Sequence, residues 1–343
     1  MKLYRKCGAL CLAVFLALSL AACGRQPAAP AADPAPAEQG GAADSVQSGG
    51  QIRVGALKGP TAMGLVKLME DEEDGDRYDF TLAASADELT PLLIREKLDV
   101  ACVPANLASV LYNRTEGEMA VLAVNTLGVL YIVENGNAVQ SMADLKGMTV
   151  VSAGKGATPE YGLRYLLAQN GVDPDGDVNI DWKSEHSECV AALASGAATV
   201  AMLPQPFVTV AQGKLGDLRV ALDLTAEWDA LDNGSAMITG VAVARRTFVE
   251  ENPQAVEDFL RDYAASVDWV NGNVSEAAEL VVSGGILESA AVAEKALPRC
   301  NIVCLTGEEM QARLSGYLQV LYDAAPEAVG GQLPGDGFYY RAS

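Results

Sequence analysis

Apolar residues beyond about position 50 follow two alternating patterns. Ile52–Leu57 is an almost continuous apolar run of strand length, whereas Ala62, Leu65, Val66 and Met69 recur at the spacing of one helix face. Strand patterns and helix patterns then succeed each other along the chain, which indicates mostly parallel sheets covered by helices. The predicted fold class is therefore α/β.

The strand-turn-helix pattern occurs twice. Lys58-Gly59-Pro60-Thr61 recurs as Lys155-Gly156-Ala157-Thr158, and Val100–Pro104 recurs as Val200–Pro204. The lysine precedes the proline by 46 residues in the first copy and by 49 in the second. A repeat of this length is too long for a solenoid, so it predicts two similar α/β lobes that face each other across a cleft.

The lobes are expected to be built from separate stretches of the chain. Lobe 1 is predicted to comprise residues 51–127 and 240–343, and lobe 2 residues 128–239, with crossings near Thr126–Gly128 and Ile238–Gly240. Four helices that follow the second crossing are expected to wrap lobe 1, and an aromatic tail should follow them. The predicted helices are Pro253–Asn271, Ser275–Ser283, Ser289–Leu297 and Gly307–Ala324, and the tail is Gly330–Tyr340.

The N-terminus has the pattern of an export signal. Basic residues precede an apolar run, and Leu20-Ala21-Ala22-Cys23 places small residues before a cysteine. Residues 1–22 are predicted to be a lipoprotein signal peptide, and Cys23 a diacylated residue that anchors the protein at the extracytoplasmic face of the cell membrane. Residues 23–50 are rich in Ala, Pro and Gly and are predicted to be a disordered linker.

Charge and cysteine content exclude several classes of function. The chain has 45 acidic and 24 basic residues and a formal net charge of −21, which argues against a nucleic-acid partner. The chain contains one histidine, and its cysteines lack metal-type spacing, so neither a metal site nor a cofactor is predicted. Cys300 and Cys304 either form a small disulfide or, with Cys102 and Cys189, are buried apolar groups.

The predicted binding site follows from the topology. In open parallel sheets ligands bind beyond the carboxyl ends of the strands, where loops lead into helix N-termini that hold anions or carbonyl oxygens well. Applied to both lobes and to the crossings, this rule nominates a set of rim and hinge residues as ligand-binding. The set comprises Lys58, Gly59, Pro60, Thr61, Ser85, Pro104, Asn106, Thr126, Lys155, Gly156, Ala157, Thr158, His186, Gln205 and Thr239.

Two features resemble catalysis but have simpler readings. His186 lies in a rim loop, where it could be a reacting base, a ligand hydrogen-bonding group or a surface residue. Glu88 and Glu188 stand at matching helix starts, where a carboxylate favours the helix dipole, so capping is expected. No nucleophile-elbow sequence is present, and no catalytic residue is predicted.

Several segments carry a family resemblance. The lipobox with its linker, Leu57-Lys58-Gly59-Pro60-Thr61, Pro104–Ala108, Asn125–Tyr131 and Leu203–Phe207 resemble the substrate-binding lipoproteins of ABC importers. The resemblance is to the type II periplasmic binding proteins, in the branch that includes sulfonate, nitrate and thiamine-pyrimidine-precursor binders. It implies a two-lobed monomer that captures a small anionic or heteroaromatic solute and delivers it to a permease with its ATPase.

Two alternatives share the fold. The chain also resembles chorismate dehydratases and pyrimidine synthases, so an enzyme is one alternative, and turnover dependent on His186 would favour it. A ligand-sensing lipoprotein without a transporter is the other. Export and lipidation argue against the enzyme, because those pathways use cytosolic substrates, and no enzyme activity is predicted.

Overall fold

Two β-sheets, each flanked by helices, form the framework of the protein in its computed structural model, which describes residues 50–72 and 76–342. The predicted signal peptide, the lipidated Cys23 and the linker as far as residue 49 lie outside the described residues. The strands are β1 (Ile52–Leu57), β2 (Tyr78–Ala83), β3 (Val100–Pro104), β4 (Met119–Leu127), β5 (Leu130–Glu134), β6 (Thr149–Ala153), β7 (Asn179–Lys183), β8 (Val200–Pro204), β9 (Arg219–Asp223), β10 (Ile238–Arg245) and β11 (Ile302–Leu305).

Helices connect and cover these strands. They are α1 (Pro60–Met63), α2 (Val66–Asp71), α3 (Ala86–Ile94), α4 (Ala105–Arg114), α5 (Thr158–Gln169), α6 (His186–Ala194), α7 (Phe207–Lys214), α8 (Leu224–Asp229), α9 (Arg246–Glu251), α10 (Pro253–Gly272), α11 (Val274–Ser283), α12 (Ala290–Ala296) and α13 (Gly307–Ala324). Short 3₁₀ helices occur at Met142–Leu145, Leu297–Arg299, Pro326–Val329 and Asp336–Phe338.

The two sheets repeat one topology. Sheet A has the strand order β11-β4-β10-β3-β1-β2 and sheet B the order β7-β6-β8-β5-β9. Each contains one antiparallel strand that follows a crossing of the chain, β10 in sheet A and β5 in sheet B. Gly240 of β10 lies opposite Pro104, and Leu130 of β5 lies opposite Pro204, so the repeated prolines have equivalent positions. The predicted fold class and the duplication of the sheet are confirmed.

Two of the four strands at the sheet edges, β9 and β11, were not predicted. Strand β9 has only one buried residue and β11 is four residues long, and both lie at an edge. A strand that packs against a neighbour on one side has a weaker apolar pattern than a central strand. Strand β4 also runs on to Leu127, so Thr126 belongs to the strand, and Gly128 and Val129 form the junction that was predicted near Thr126.

Helix α13 does not wrap lobe 1 as expected. Helices α10 and α11 do pack against α2 of sheet A's outer layer, but α13 contacts both β4 of sheet A and α5 beside sheet B. The ring centroid of Tyr317 in α13 lies 5.5 Å from that of Trp228 in α8. The ring centroid of Trp228 lies 4.8 Å from that of Tyr165 in α5. These aromatic residues belong to a core that is continuous between the two sheets. Burial of large aromatic side chains stabilises α13 in this position.

The C-terminal residues pack on sheet A. The backbone of Tyr339 bridges Val121 of β4, and the N–H of Tyr340 donates to the carbonyl of Val121 at 2.9 Å. Phe338 is fully buried, as expected of an aromatic tail. Among the described helices, none has the length and apolar composition needed to cross a bilayer.

Candidate functional site

The predicted rim loops lie at the same edge of each sheet. Strands β1 and β3 run parallel and end at Leu57 and Pro104, and β6 and β8 end in the same way at Ala153 and Pro204. Helices α1, α4, α5 and α7 begin within a few residues of these ends. In each sheet, the predicted loops and helix starts therefore lie at the carboxyl ends of the parallel strands, as the strand-end rule requires.

A cluster of buried polar residues surrounds Gly240 at the crossing. A methyl group on Gly240 would lie 2.5 Å from Oδ1 of Asn125, 2.8 Å from Cγ2 of Thr61 and 3.3 Å from Oγ1 of Thr126. Asn125 and Thr126 are completely buried, and Thr61 is 8% exposed. Only glycine fits at this position. Because Gly240 has no side chain, Thr61, Asn125 and Thr126 can pack closely around it.

Several polar atoms near the crossings lack a hydrogen-bond partner. Oγ1 of Thr126 donates to Oδ1 of Asn125 at 3.0 Å, but Nδ2 of Asn125 is buried and unpaired. The hydroxyls of Thr239 and Thr225 are likewise buried without a partner, and Thr225 packs against Gly128. An unsatisfied buried polar group costs about 1–3 kcal/mol. Three of these unpaired atoms lie near the crossings, on Asn125, Thr225 and Thr239. A solute or water molecule bound there would supply the missing hydrogen bonds.

Asn125 also lies beside the buried thiol of Cys102. Burial raises the pKa of the Cys102 thiol to about 12, and the neighbouring Asn125 amide opposes that shift. Cys102 is therefore a protonated core residue at physiological pH, and it is not a nucleophile.

Gln205 contributes from lobe 2. Its backbone N–H donates to the carbonyl of Val129 at 3.0 Å, which fixes the loop after β8 against the hinge. Its Oε1 accepts from the hydroxyl of Thr209 at 2.9 Å. Because the oxygen of the side-chain amide is occupied, the Nε2 group is the donor left for a ligand.

Asn106 joins the two lobes at the rim. Its Nδ2 donates to the carbonyl of Ala328 at 3.1 Å and to that of Gly156 at 3.4 Å, and its Oδ1 accepts from Oγ1 of Thr158 at 3.5 Å. Thr158 is completely buried. The hydroxyl of Tyr317 is also buried without a hydrogen-bond partner; burial raises the pKa of Tyr317, and the nearby Thr158 hydroxyl opposes that shift. The loop Lys155–Thr158 of lobe 2 is thus in contact with Asn106 of lobe 1.

Gly59 and Gly156 adopt backbone conformations that favour glycine. Gly59 has φ 138° and Gly156 has φ 78°, and a Cβ at either would meet no atom within 4 Å. Backbone conformation rather than space therefore requires glycine. Pro60 occupies the first turn of α1, and Ala157 caps α5 with an extended backbone. Lys58 and Lys155 are both exposed.

Capping by the paired glutamates is confirmed. Ser85 and Glu88 form a capping box at α3, in which Oε1 of Glu88 accepts from the Ser85 backbone N–H at 3.1 Å. Glu188 has the same role at α6, where Glu185 is the N-cap. The helix accordingly starts at His186. Ser85 is exposed, with its hydroxyl donating to Glu88.

His186 lies in a mostly apolar environment. Its ring centroid is 5.3 Å from that of Phe207, and its Nδ1 is buried without a partner. Burial lowers the pKa of His186 to about 4, because the charged imidazolium would lose its hydration. The imidazole is neutral at physiological pH and can accept or donate one hydrogen bond, but no carboxylate orients it as a catalytic base within the described contacts.

The remaining chemistry is sparse. Cys102, Cys189, Cys300 and Cys304 are all free thiols, so the alternative of a Cys300–Cys304 disulfide is not what the structure contains. In the described ranges, no group of three or more His, Cys, Asp or Glu side chains is arranged to hold a metal ion. A groove of about 650 Å³ lies between α5 and α13, beside Arg164 and Tyr165.

Sequence reasoning missed three of the polar residues. Asn125, Thr225 and Tyr317 were not among the nominated residues, although the structure leaves a buried polar atom on each unpaired. Asn125 ends an otherwise apolar run, and that interruption was the available signal. Thr225 lies in α8, which was not predicted, and Tyr317 lies in α13, whose contact with both sheets was not predicted, so no local pattern identified them.

Comparison with known proteins identifies the family. Residues 64–286 match the family model described as the phosphonate periplasmic substrate-binding protein of ABC transporters. The chain belongs to this family. The resemblance to ABC substrate-binding proteins is confirmed, although the matched family is named for phosphonate, whereas the sequence pointed to sulfonate, nitrate and pyrimidine-precursor binders.

Relatives and solved structures extend the comparison. A protein of Brucella abortus (strain 2308), described as a binding protein, is 25% identical over 212 residues, which are 60% of this chain and 63% of the relative. The chain thus matches less than two thirds of the length of these curated relatives. An ABC transporter structure from Parabacteroides distasonis has a TM-score of 0.72 with 24% identity, covering 85% of this chain and 99% of that one.

Two further structures bear on the fold. The periplasmic aliphatic sulphonate binding protein SsuA from Escherichia coli has a TM-score of 0.68 at 17% identity, covering 86% of this chain and 94% of that one. The nitrate-binding protein NrtA from Synechocystis PCC 6803 has a TM-score of 0.53 at 16% identity, with 68% and 65% covered. These similarities confirm the two-lobed binding-protein fold and leave the ligand of this family member open.

Proposed function

We propose that this phosphonate-family binding protein captures a small oxyanion-bearing solute between its lobes and delivers it to an ABC permease with its ATPase. The observation that carries the proposal is the set of buried, unpaired polar atoms at the crossings, on Asn125, Thr225 and Thr239, in a chain that belongs to this family. Hydroxyl and amide groups of this kind hydrogen-bond the oxygens of phosphonate or sulfonate groups without a paired cation.

The relatives support an extracytoplasmic role. The matched family is described as periplasmic. Two solved proteins of similar fold are named as sulphonate-binding and nitrate-binding proteins. Within the proposal, Cys23 is the lipid anchor, the protein works as a monomer, and it catalyses no reaction. The proposed ligand set is the one nominated from the sequence without Asn106, whose amide already bonds to Ala328, Gly156 and Thr158, and it is extended by Asn125 and Thr225.

The proposal is tested by ligand screening with a matched pair of variants. Alkylphosphonates, alkanesulfonates, nitrate and aminopyrimidines are added to the purified protein, and melting temperature and calorimetric affinity are measured. A ligand at 100 times its dissociation constant should stabilise the protein by about 2.7 kcal/mol.

Thr61→Val and Thr115→Val are the matched variants. Both threonines donate a side-chain hydrogen bond of 2.8 Å to the carbonyl four residues earlier, Leu57 and Leu111 respectively, but Thr115 lies at the far end of α4. We expect Thr61→Val to reduce affinity about tenfold and Thr115→Val to leave it unchanged. Equal effects of both variants, or no binding of any oxyanion, would contradict the proposed site.

An enzyme on the same fold is the second candidate. The neutral, partly enclosed His186 is the observation that would favour it, because its Nδ1 is buried and unpaired. The proposed transport role predicts that each bound ligand is recovered chemically unchanged after prolonged incubation. Mass spectrometry of the recovered ligand decides between the two.

A further inference from the structure

A row of polar side chains on α4 ties the C-terminal segment to lobe 1. Asn106, Ser109 and Asn113 lie on one face of the helix, at the spacing i, i+3, i+7. Ser109 donates to the carbonyl of Val329 at 2.8 Å, and Asn113 donates to the carbonyls of Val329 and Gln332 at 2.8 and 2.7 Å. We call residues 326–332 the strap.

The strap lies flush against the helix. Ala328 and Val329 are completely buried, and Gly330 has φ 90° with no room for a side chain, since a Cβ would lie 3.1 Å from Cα of Val110. The strap therefore moves with α4 as one body. Through Ala328 it also holds the amide of Asn106, which is 1% exposed.

Asn106 alone in this row also reaches lobe 2. Its bonds with the Gly156 carbonyl and the Thr158 hydroxyl are 3.4 and 3.5 Å long, near the limit for a hydrogen bond, whereas its bond to Ala328 is 3.1 Å. The interaction within lobe 1 is thus the stronger one, and the interactions across the cleft are weak. Weak contacts across a cleft can break and re-form without large cost.

We infer that Asn106 is a positioning residue for lobe closure, held by the strap in the orientation that engages Gly156 and Thr158, and not primarily a ligand contact. The inference rests on the proposed function, because it assumes that the lobes open and close around a solute. The amide has two donors and one acceptor oxygen, and Ala328, Gly156 and Thr158 together occupy them, so little capacity remains for a ligand.

The inference is tested without any ligand. Spin labels on Ile94, which is exposed in α3, and on exposed Ser195, which follows α6, report the distance between the lobes by pulsed electron paramagnetic resonance. Asn106→Ala should lower the closed-to-open ratio of the ligand-free protein about threefold to tenfold, the effect of one or two weak hydrogen bonds. Thr158→Val, which leaves the bond between Asn106 and Gly156 in place, should give a smaller shift, and the double variant should shift the ratio no more than Asn106→Ala alone.

Asn113→Ala serves as the strap variant and Thr115→Val, whose hydroxyl donates to carbonyls within α4, serves as the control, both with the same pair of labels. The strap variant should shift the ratio in the same direction by a smaller factor, and the control should not shift it. An unchanged distance distribution in Asn106→Ala, additive effects in the double variant, or a ligand-free protein that is entirely open would overturn the inference. Failure of every solute to bind would instead overturn the proposed function, because the distance measurement needs no solute.

Discussion

Acid should destabilise this protein through its single histidine. Burial lowers the pKa of His186 from 6.5 to about 4, so the native state resists protonation while the unfolded chain accepts a proton readily. The unfolded state therefore binds more protons between pH 6.5 and 4, and the free energy of unfolding falls as the pH is lowered through this window. Above pH 6.5 the effect is absent, and below pH 4 it is complete.

The size of the effect follows from the two pKa values. With 6.5 in the unfolded chain and about 4 in the native protein, the free energy of unfolding is about 2 kcal/mol lower at pH 5 than at pH 7. The side chain keeps some contact with solvent, so this is an upper figure. Ordinary carboxylates titrate mainly below pH 5. Between pH 5 and 7, the change in the free energy of unfolding therefore comes mainly from His186.

Two measurements check this prediction. Urea unfolding at pH 5, 6 and 7 gives the free energy of unfolding, and His186→Phe, which keeps a ring beside Phe207, should remove most of the pH dependence. The chain has one histidine, so its C2 proton gives one unambiguous NMR titration. A native midpoint near 6.5, or the same pH slope in His186→Phe, would refute the assigned burial.

Three further predictions concern the framework. Asp99→Asn should destabilise the protein by about 3 kcal/mol in urea unfolding, because this buried carboxylate is paired with two arginines; a loss below 1 kcal/mol would contradict that role. Gly330→Ala should speed hydrogen exchange in the strap more than Gly331→Ala does, because both have φ 90° but only Gly330 is crowded; equal effects would show that backbone strain alone matters. Cys300 and Cys304 should react with maleimide only after unfolding, since burial raises the pKa of each thiol to about 12, and an intact mass two units low would reveal a disulfide instead.

Much of the fold was predictable because several of its elements are strongly patterned. The predicted strand at Ile52–Leu57 and the predicted helix at Gly307–Ala324 agree with the structure at both ends. These segments are either apolar throughout or amphipathic with one period, so local burial alone identifies them. Edge strands such as Arg219–Asp223 lack such a pattern, because half of their surface faces solvent.

The site was only partly predictable. Lys58, Gly59 and Thr61 could be nominated because a strand-end rule applies to any parallel sheet, and Thr61 does lie beside the crossing. Which polar atoms remain unpaired depends on residues far apart in the chain. Asn125 illustrates this, since its position is set by Gly240 and Thr61, each more than 60 residues away.

By itself, the sequence determined that two copies of one strand-turn-helix unit form this protein and which loops meet at the edges of their sheets. Periodicity and repeats are local properties, and burial of apolar faces follows from them directly. Only the tertiary structure decided that α13 packs between the lobes and that Asn106 binds both the strap and Gly156. Those contacts join residues as much as 222 positions apart, and their geometry depends on how the sheets pack rather than on any neighbouring residue.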